Sequence, residues 1–283
     1  MAHFYRLVVS CPDRVGIVAR VSGFIAAQGG SITEANQHSD LATGRFFMRY
    51  EIRFDSPSDA AALKAAFEPI ADSFEMTWAL NDIARRKRVV LMVSKASHCL
   101  VDLLYRWKTG ELDCEIPCVI SNHDDLRPLV EWHDIPFHHV PVDPLDKASA
   151  FAETQRLIEA VDADNVVLAR YMQILPPSLC ERYAGRVINI HHSFLPSFAG
   201  ARPYHQAYDR GVKLIGATCH YVTQELDAGP IIEQDVHRIS HCHTAEDLVR
   251  FGRDIEKAVL ARGLRWHLQD RVLIHGNKTV VFA

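Results

Sequence analysis

The stretch RVINIHHSFLPSFAGARPYHQA, residues 186–207, carries an apolar strand pattern straight into Asn189, His191 and His192. Side chains alternate along an extended chain, so Asn189 and His191, two positions apart, project from one face and can act on one atom. Packing alone does not ask for such a pair. A second polar feature lies in KLIGATCHYVTQELDAGPIIEQDVHRI, where Gly229 and Pro230 enforce a turn around Asp227 between two β-rich runs. Taken alone, Asp227 reads as a turn residue making local hydrogen bonds. Taken with Asn189 and His191, it completes an amide, an imidazole and a carboxylate, the residue types of general acid–base work at one centre.

The elements that must position these residues belong to the second of two dissimilar halves. From residue 85 to 283, the runs RVVLMVS, IPCVIS, FHHVPV, NVVLAR and RVINI are short and rich in Val and Ile, and helical stretches such as DKASAFAETQRLIEAVDA separate them. Such runs are parallel strands covered on both faces. They predict an open, mostly parallel, Rossmann-like α/β sheet whose ligand lies beyond the carboxyl ends of its strands. Asn189 and His191 stand at one such end, and LARYMQIL, residues 168–175, forms an apolar lip after the preceding strand.

Residues 1–84 follow a different pattern. HFYRLVVS reads as a strand, and DRVGIVARVSGFIAAQ as a helix with Val15, Val18, Val21 and Ile25 at helical spacing. RFFMRYEIRF alternates Phe46, Met48, Tyr50, Ile52 and Phe54 with Arg49, Glu51 and Arg53, the pattern of a half-exposed antiparallel strand. A helix from near Pro57 and a strand around FEMTWAL complete β-α-β-β-α-β, a ferredoxin-like α+β unit. The basic run of Arg85, Arg86, Lys87 and Arg88 reads as a solvated linker.

Composition removes several function classes. The chain has 283 residues, 48% hydrophobic and 23% charged, with a net charge of -4, so there is no basic excess to make nucleic acid the default partner. No apolar run approaches a membrane span, and the start lacks a secretory layout, which predicts a cytoplasmic protein. Seven scattered cysteines fit reduced thiols better than a disulfide framework. No metal role is expected at Cys114 and Cys118. SHCHTAEDL, with its apparent ligand cluster, reads as a helix start, because Thr244 precedes Ala-Glu-Asp at capping-box spacing. RVLIHGNKTVVF reads as a hairpin around Gly276 and Asn277.

Two resemblances sharpen the picture. CPDRVGIVA resembles the opening of ACT domains, regulatory modules that meet an amino-acid ligand at an interface between two copies. The resemblance implies an effector such as glycine or methionine and a homo-oligomer, a dimer or tetramer. Asp13 would cap the first helix, Gly16 would let a ligand approach the backbone, and Asn36 would face that turn. The alternative is that Asp13 is only a cap and the module only a dimerisation surface. In the second half, Asn-Ile-His, Ser-x-Leu-Pro and Asp-x-Gly-x-Ile-Ile resemble the folate-dependent formyltransferase domain, and an ACT domain in front resembles the arrangement of the formyltetrahydrofolate deformylases. His192 resembles that subgroup too.

The second resemblance implies hydrolysis of 10-formyltetrahydrofolate to tetrahydrofolate and formate by Asn189, His191 and Asp227, with the folate as substrate and no tightly bound cofactor. Attack on a formyl carbon creates an oxyanion, which Asn189 and a protonated His191 would stabilise while Asp227 orients the histidine and holds the water. Arg170, Tyr171, Met172, Ile174, Leu175, His192, Gly200 and Gly229 would bind substrate; His192 either lines the pocket or makes a hydrogen bond behind it. Related transferases that act on glycinamide ribonucleotide have a glycine-rich first βα turn for the acceptor's phosphate. Here that turn is VSKASHCLVDLL, with Lys95 and His98 and no glycine, which favours water as nucleophile. Two alternatives stay open: a formyltransferase acting on an amine, and a catalytically silent sensor of amino acid and folate.

Overall fold

The computed structural model describes residues 2–56, 59–197 and 203–283. The chain forms two compact units, one of Met1–Arg86 with Gln269–His275 and Val280–Ala283, the other of Lys87–Leu268 with Gly276–Thr279. The first unit runs β1 (His3–Pro12), α1 (Ile17–Ala27), β2 (Gly30–Asp40), β3 (Arg45–Phe54), α2 (Ala60–Ser73) and β4 (Thr77–Asp82). Its antiparallel sheet has the order β2-β3-β1-β4, the ferredoxin-like arrangement.

Several expectations for this unit need correction. Helix α1 starts about one turn of sequence later than DRV suggests: Ile17, Val21 and Ile25 are its buried stripe, whereas Val15 is fully exposed. Gly16, with φ +96°, is its N-cap, so Asp13 caps nothing; the Asp13 N–H instead donates to the Gly44 carbonyl at 2.8 Å. The predicted start of α2 at Pro57 lies outside the described residues, and Asp59 caps that helix by accepting from the Ala61 N–H at 2.9 Å. β3 is not half-exposed. Phe47 is buried, and Arg49 is 1% exposed with its guanidinium paired to Glu34 at 2.9 Å and donating to the Gln269 carbonyl at 3.0 Å. The cause is the returning segment Gln269–His275, which covers the sheet face opposite α1 and α2: Arg271 pairs with Glu34 at 2.9 Å and His275 packs on Phe47 at 5.3 Å. A buried guanidinium is tolerable because carboxylates meet its charge.

The second unit runs β5 (Lys87–Val93), α3 (His98–Lys108), β6 (Cys114–Glu115), β7 (Val119–Ser121), α4 (Arg127–Glu131), β8 (Phe137–His139), α5 (Lys147–Ala160), β9 (Asn165–Leu168), α6 (Pro177–Arg182), β10 (Val187–His191), α7 (Pro203–Arg210), β11 (Leu214–Tyr221), β12 (Ile231–Arg238) and α8 (Ala245–Leu268). The hairpin of β13 (Val272–His275) and β14 (Lys278–Val281) follows. The sheet order is β12-β11-β10-β9-β5-β7-β8, parallel from β10 to β8 and antiparallel at β11 and β12. The parallel strands bury nearly every residue, as strands covered on both faces must. Lys87 and Arg88 enter β5 and do not belong to a solvated linker; Arg88 Nε donates to the Val161 carbonyl at 2.7 Å. Thr244 and Asp247 exchange hydrogen bonds at the start of α8, the capping box expected there. No helix among the described residues is long and apolar enough to cross a membrane.

His267, near the end of α8, makes the second unit acid-sensitive. The Asn165 amide donates to its Nε2 at 2.6 Å, and its Nδ1 lies 2.8 Å from the Tyr221 hydroxyl. Burial, aided by the nearby Lys87 charge, pushes its pKa down to about 3. The unfolded chain takes up this proton below about pH 6.5, whereas the folded protein refuses it until far lower. Stability from this group is therefore complete above pH 6.5 and declines as pH falls towards 3. Between pH 7 and pH 5 the expected loss is about 2 kcal/mol. Urea unfolding at both pH values, compared with His267→Gln, checks it: the variant should lose that much of the pH dependence, and an unchanged dependence would contradict the assignment.

Candidate active site

β10 supplies the centre of the site. Its neighbours are β9, which pairs Leu168 with Asn189, and β11, which pairs His220 with Asn189 and Thr218 with His191. The cross-strand pair Asn189 and His220 is bonded through side chains: the Asn189 Nδ2 donates to His220 Nε2 at 3.1 Å, and His220 Nδ1 donates to the Tyr221 carbonyl at 2.9 Å. These contacts define one neutral tautomer of His220, and burial pushes its pKa below the ordinary value. They also fix which end of the Asn189 amide is the nitrogen, since only Nδ2 can donate. The second N–H on that nitrogen remains for another acceptor.

His191 is held from behind. Its Nδ1 lies 3.2 Å from Asp227 Oδ2, while its Nε2 is buried and has no hydrogen-bond partner among the described residues. A buried imidazole nitrogen without a partner at the edge of a cavity is a group waiting for a ligand. Burial alone would raise the Asp227 pKa, but the hydrogen bond from His191 and the neighbouring His191, His220 and His192 rings outweigh it, so the carboxyl sits below its usual value. Asp227 is therefore ionised at neutral pH.

The loop that carries Asp227 has no slack. Asp227 takes φ +55°, a left-handed conformation that Asp tolerates better than most residues. At Gly229 an added β-carbon would lie 1.8 Å from the Tyr221 carbonyl oxygen, so only glycine fits. The expectation that Gly229 binds substrate is corrected by this packing: Gly229 lies behind the loop, outside the cavity lining, and shapes the turn that delivers Asp227.

A cavity of about 610 Å³ opens beside the three residues. Asn189, His191, His192 and Asp227 line it, together with Arg170, Tyr171, Met172, Ile174 and Leu175 from the lip after β9. The Met172 N–H is held by Ser94 Oγ at 3.0 Å, which ties that lip to the end of β5. His192 faces the cavity, its ring centroid 5.1 Å from that of His191. Burial, then the Arg170 charge, pushes the His192 pKa down to about 4, leaving it neutral. Gly200 lies outside the described residues.

The effector residues proposed for the first unit do not converge. Asn36 is in the middle of β2, opposite Arg49, which in turn pairs with Val8. Val8 precedes Pro12 by four residues, or roughly 13 Å of strand. The Asn36 amide donates to Glu34 Oε1 at 2.9 Å, so it does not face the turn of Asp13 and Gly16. Two functional neighbours escaped notice in the sequence. His220 is a polar residue within an apolar strand, and only the β10–β11 register places it opposite Asn189. Glu256 is an acid within the apolar stripe of α8, between the buried Gly252 and Leu260, and it is 1% exposed.

Comparison with known proteins agrees with this architecture. The family model described as formyl transferase matches residues 87–264, and the ACT domain model matches residues 5–67. The chain is 52% identical over 281 residues to the formyltetrahydrofolate deformylase of Bacillus subtilis (strain 168), covering 98% of this chain and 93% of that one. The crystal structure of a formyltetrahydrofolate deformylase from Pseudomonas syringae pv. tomato superposes with a TM-score of 0.98 at 68% identity, covering 100% of this chain and 95% of that one. A phosphoribosylglycinamide formyltransferase from Anaplasma phagocytophilum superposes with a TM-score of 0.65 at 33% identity, over 70% of this chain and 96% of that one. With both domain types in order and identity sustained along nearly the whole length, the chain belongs to the formyltetrahydrofolate deformylase family.

Proposed function

We propose that the chain hydrolyses 10-formyltetrahydrofolate to tetrahydrofolate and formate, and that Asn189, His191 and Asp227 carry the reaction. The full-length similarity to deformylases supports the activity. The observation that supports the residues is the bonded series His220, Asn189 and His191, Asp227 at one strand end, with a buried donor-capable nitrogen left over on His191.

The chemistry follows from that geometry. Water attacks the formyl carbon, and the carbonyl oxygen becomes an oxyanion that the free N–H of Asn189 and the Nε2–H of a protonated His191 stabilise. Asp227 keeps the imidazole oriented through Nδ1, and its carboxylate accepts a hydrogen of the attacking water. As the tetrahedral species collapses, the bond from carbon to N10 breaks and N10 gains a proton from His191; the proton taken from water by Asp227 returns to His191, and formic acid leaves as formate, its hydroxyl proton passing to solvent. The apolar lip of Tyr171, Met172, Ile174 and Leu175 receives the pterin ring. No step requires a metal or a second organic cofactor.

We further assign the protein to the cytoplasm and to a homo-oligomer, with the ACT unit taking an amino-acid effector such as glycine or methionine at the β1–α1 turn around Gly16. There an added β-carbon would meet nothing within 4 Å, so the backbone is approachable. The test of the main reading is direct: purified protein with 10-formyltetrahydrofolate and no amine should release one formate per tetrahydrofolate formed. Folate binding with no formate would overturn it.

A further inference from the structure

The carboxyl ends of β5, β9 and β10 lie side by side, Met92 against Leu168 and Leu168 against Asn189. β5 continues through α3 to β7 on one side of the sheet, and β9 continues through α6 to β10 on the other. The loops after β5 and β9 therefore diverge, which makes the crevice where open α/β sheets receive ligands. In this chain a cluster of side chains stands in that crevice.

Arg170, two residues past Leu168, directs Nε to within 3.4 Å of Glu256 Oε2. His98, the first residue of α3, meets the same oxygen at 2.8 Å, and the Tyr204 hydroxyl donates to Oε1 at 2.7 Å. Gly252 on α8 makes room for this, since a β-carbon there would lie 2.1 Å from the Tyr204 ring. Arg170 holds φ +66°, where a β-carbon is disfavoured and glycine would sit freely. A strained residue kept in place by its surroundings points to a use for its side chain. Its Nη1 is buried and without a hydrogen-bond partner among the described residues. His192 joins the two clusters, 5.1 Å from the His191 ring and 6.3 Å from the Tyr204 ring.

We propose that Arg170, anchored by Glu256 with His98 and Tyr204, forms the cavity wall beside Asn189 and His191, turns amine acceptors away there, and leaves water as the only nucleophile. This rests on the hydrolytic reading above and explains its specificity. Transfer to an amine would form a bond from the amine nitrogen to the formyl carbon, break the bond to N10, and pass the amine's proton to N10. On this proposal the amine would bring its nitrogen and its substituent against the wall that the guanidinium and the Tyr204 ring form. A buried guanidinium also repels a protonated amine, whereas its Nη1 can donate to a water oxygen.

The experiment measures how the formyl group partitions between formate and N-formylglycinamide when glycinamide is added. Arg170→Gly suits the backbone at φ +66°. The double variant Arg170→Gly with Glu256→Gln avoids a buried carboxylate stripped of a counter-charge. Wild type should yield formate alone at every glycinamide concentration. Either variant should form N-formylglycinamide at a share that rises with glycinamide and lies at least about tenfold above the detection limit set by wild type, a clear change in transition-state preference. Formate alone from variants that bind folate would overturn the proposal, as would transfer to glycinamide by wild type. Loss of both reactions in folded, folate-binding variants would also overturn it, by placing Arg170 in hydrolysis itself. A wild type that releases no formate without amine would instead overturn the hydrolytic reading.

Discussion

Asp227→Asn should lower kcat for formate release by about 100- to 10,000-fold, the range for losing a positioned acid–base group. The substitution is nearly isosteric, and the new carboxamide oxygen can still accept from His191 Nδ1, so the 3.2 Å contact and the loop at φ +55° should persist. What disappears is the negative charge. On the proposed mechanism that charge orients the His191 ring through Nδ1 and draws a hydrogen from the attacking water. Folate affinity should change little, because the apolar lip after β9 is untouched. Single-turnover release of formate, measured beside equilibrium folate binding, separates the two effects. Comparable losses in binding and rate would show that Asp227 acts by holding the cavity together, and an unchanged rate would remove it from the chemistry.

Asn189→Ala should cost about 100- to 1000-fold in kcat, the usual effect of removing one oxyanion donor. The Asn189 Nδ2 carries two hydrogens; one goes to His220 Nε2 at 3.1 Å, and the other remains for the substrate oxygen. Truncation removes the donor and leaves His220 Nε2 without its partner, so a modest fall in stability should accompany the loss of rate. Asn189→Asp provides the control. It preserves size but offers no N–H, so its formate release should be at least as impaired as that of the alanine variant while the strand register is kept. Recovery of wild-type rate in Asn189→Asp would mean the amide is not an oxyanion donor.

Both variants probe residues whose positions were readable from local pattern. Asn189 and His191 fall on one face because strand side chains alternate, and the apolar runs around them identify parallel strands whose carboxyl ends receive ligands. Asp227 was marked by the Gly-Pro turn behind it. The ferredoxin-like unit, the capping box at Thr244 and the hairpin at Gly276 and Asn277 were legible for the same reason: periodicity, caps and turns depend on neighbours a few residues apart.

Partnerships across long sequence separations were not legible. Asn189 meets His220 only because β10 and β11 pair in one register, and no spacing rule encodes that register. β3 looked half-exposed because the segment that buries Arg49 and Phe47, Gln269–His275, lies more than two hundred residues away. Arg170, Glu256, His98 and Tyr204 come from four different elements, and their mutual charge compensation exists only once α8 packs beside the ends of β5 and β9. Thus the amino-acid order by itself determined the two domain types, the strand ends and the three chemical groups, because these follow from short-range geometry. Tertiary structure alone decided which donor faces the cavity, which charges are buried and what lines the crevice, because those depend on the desolvation and register of residues that meet only in the folded chain.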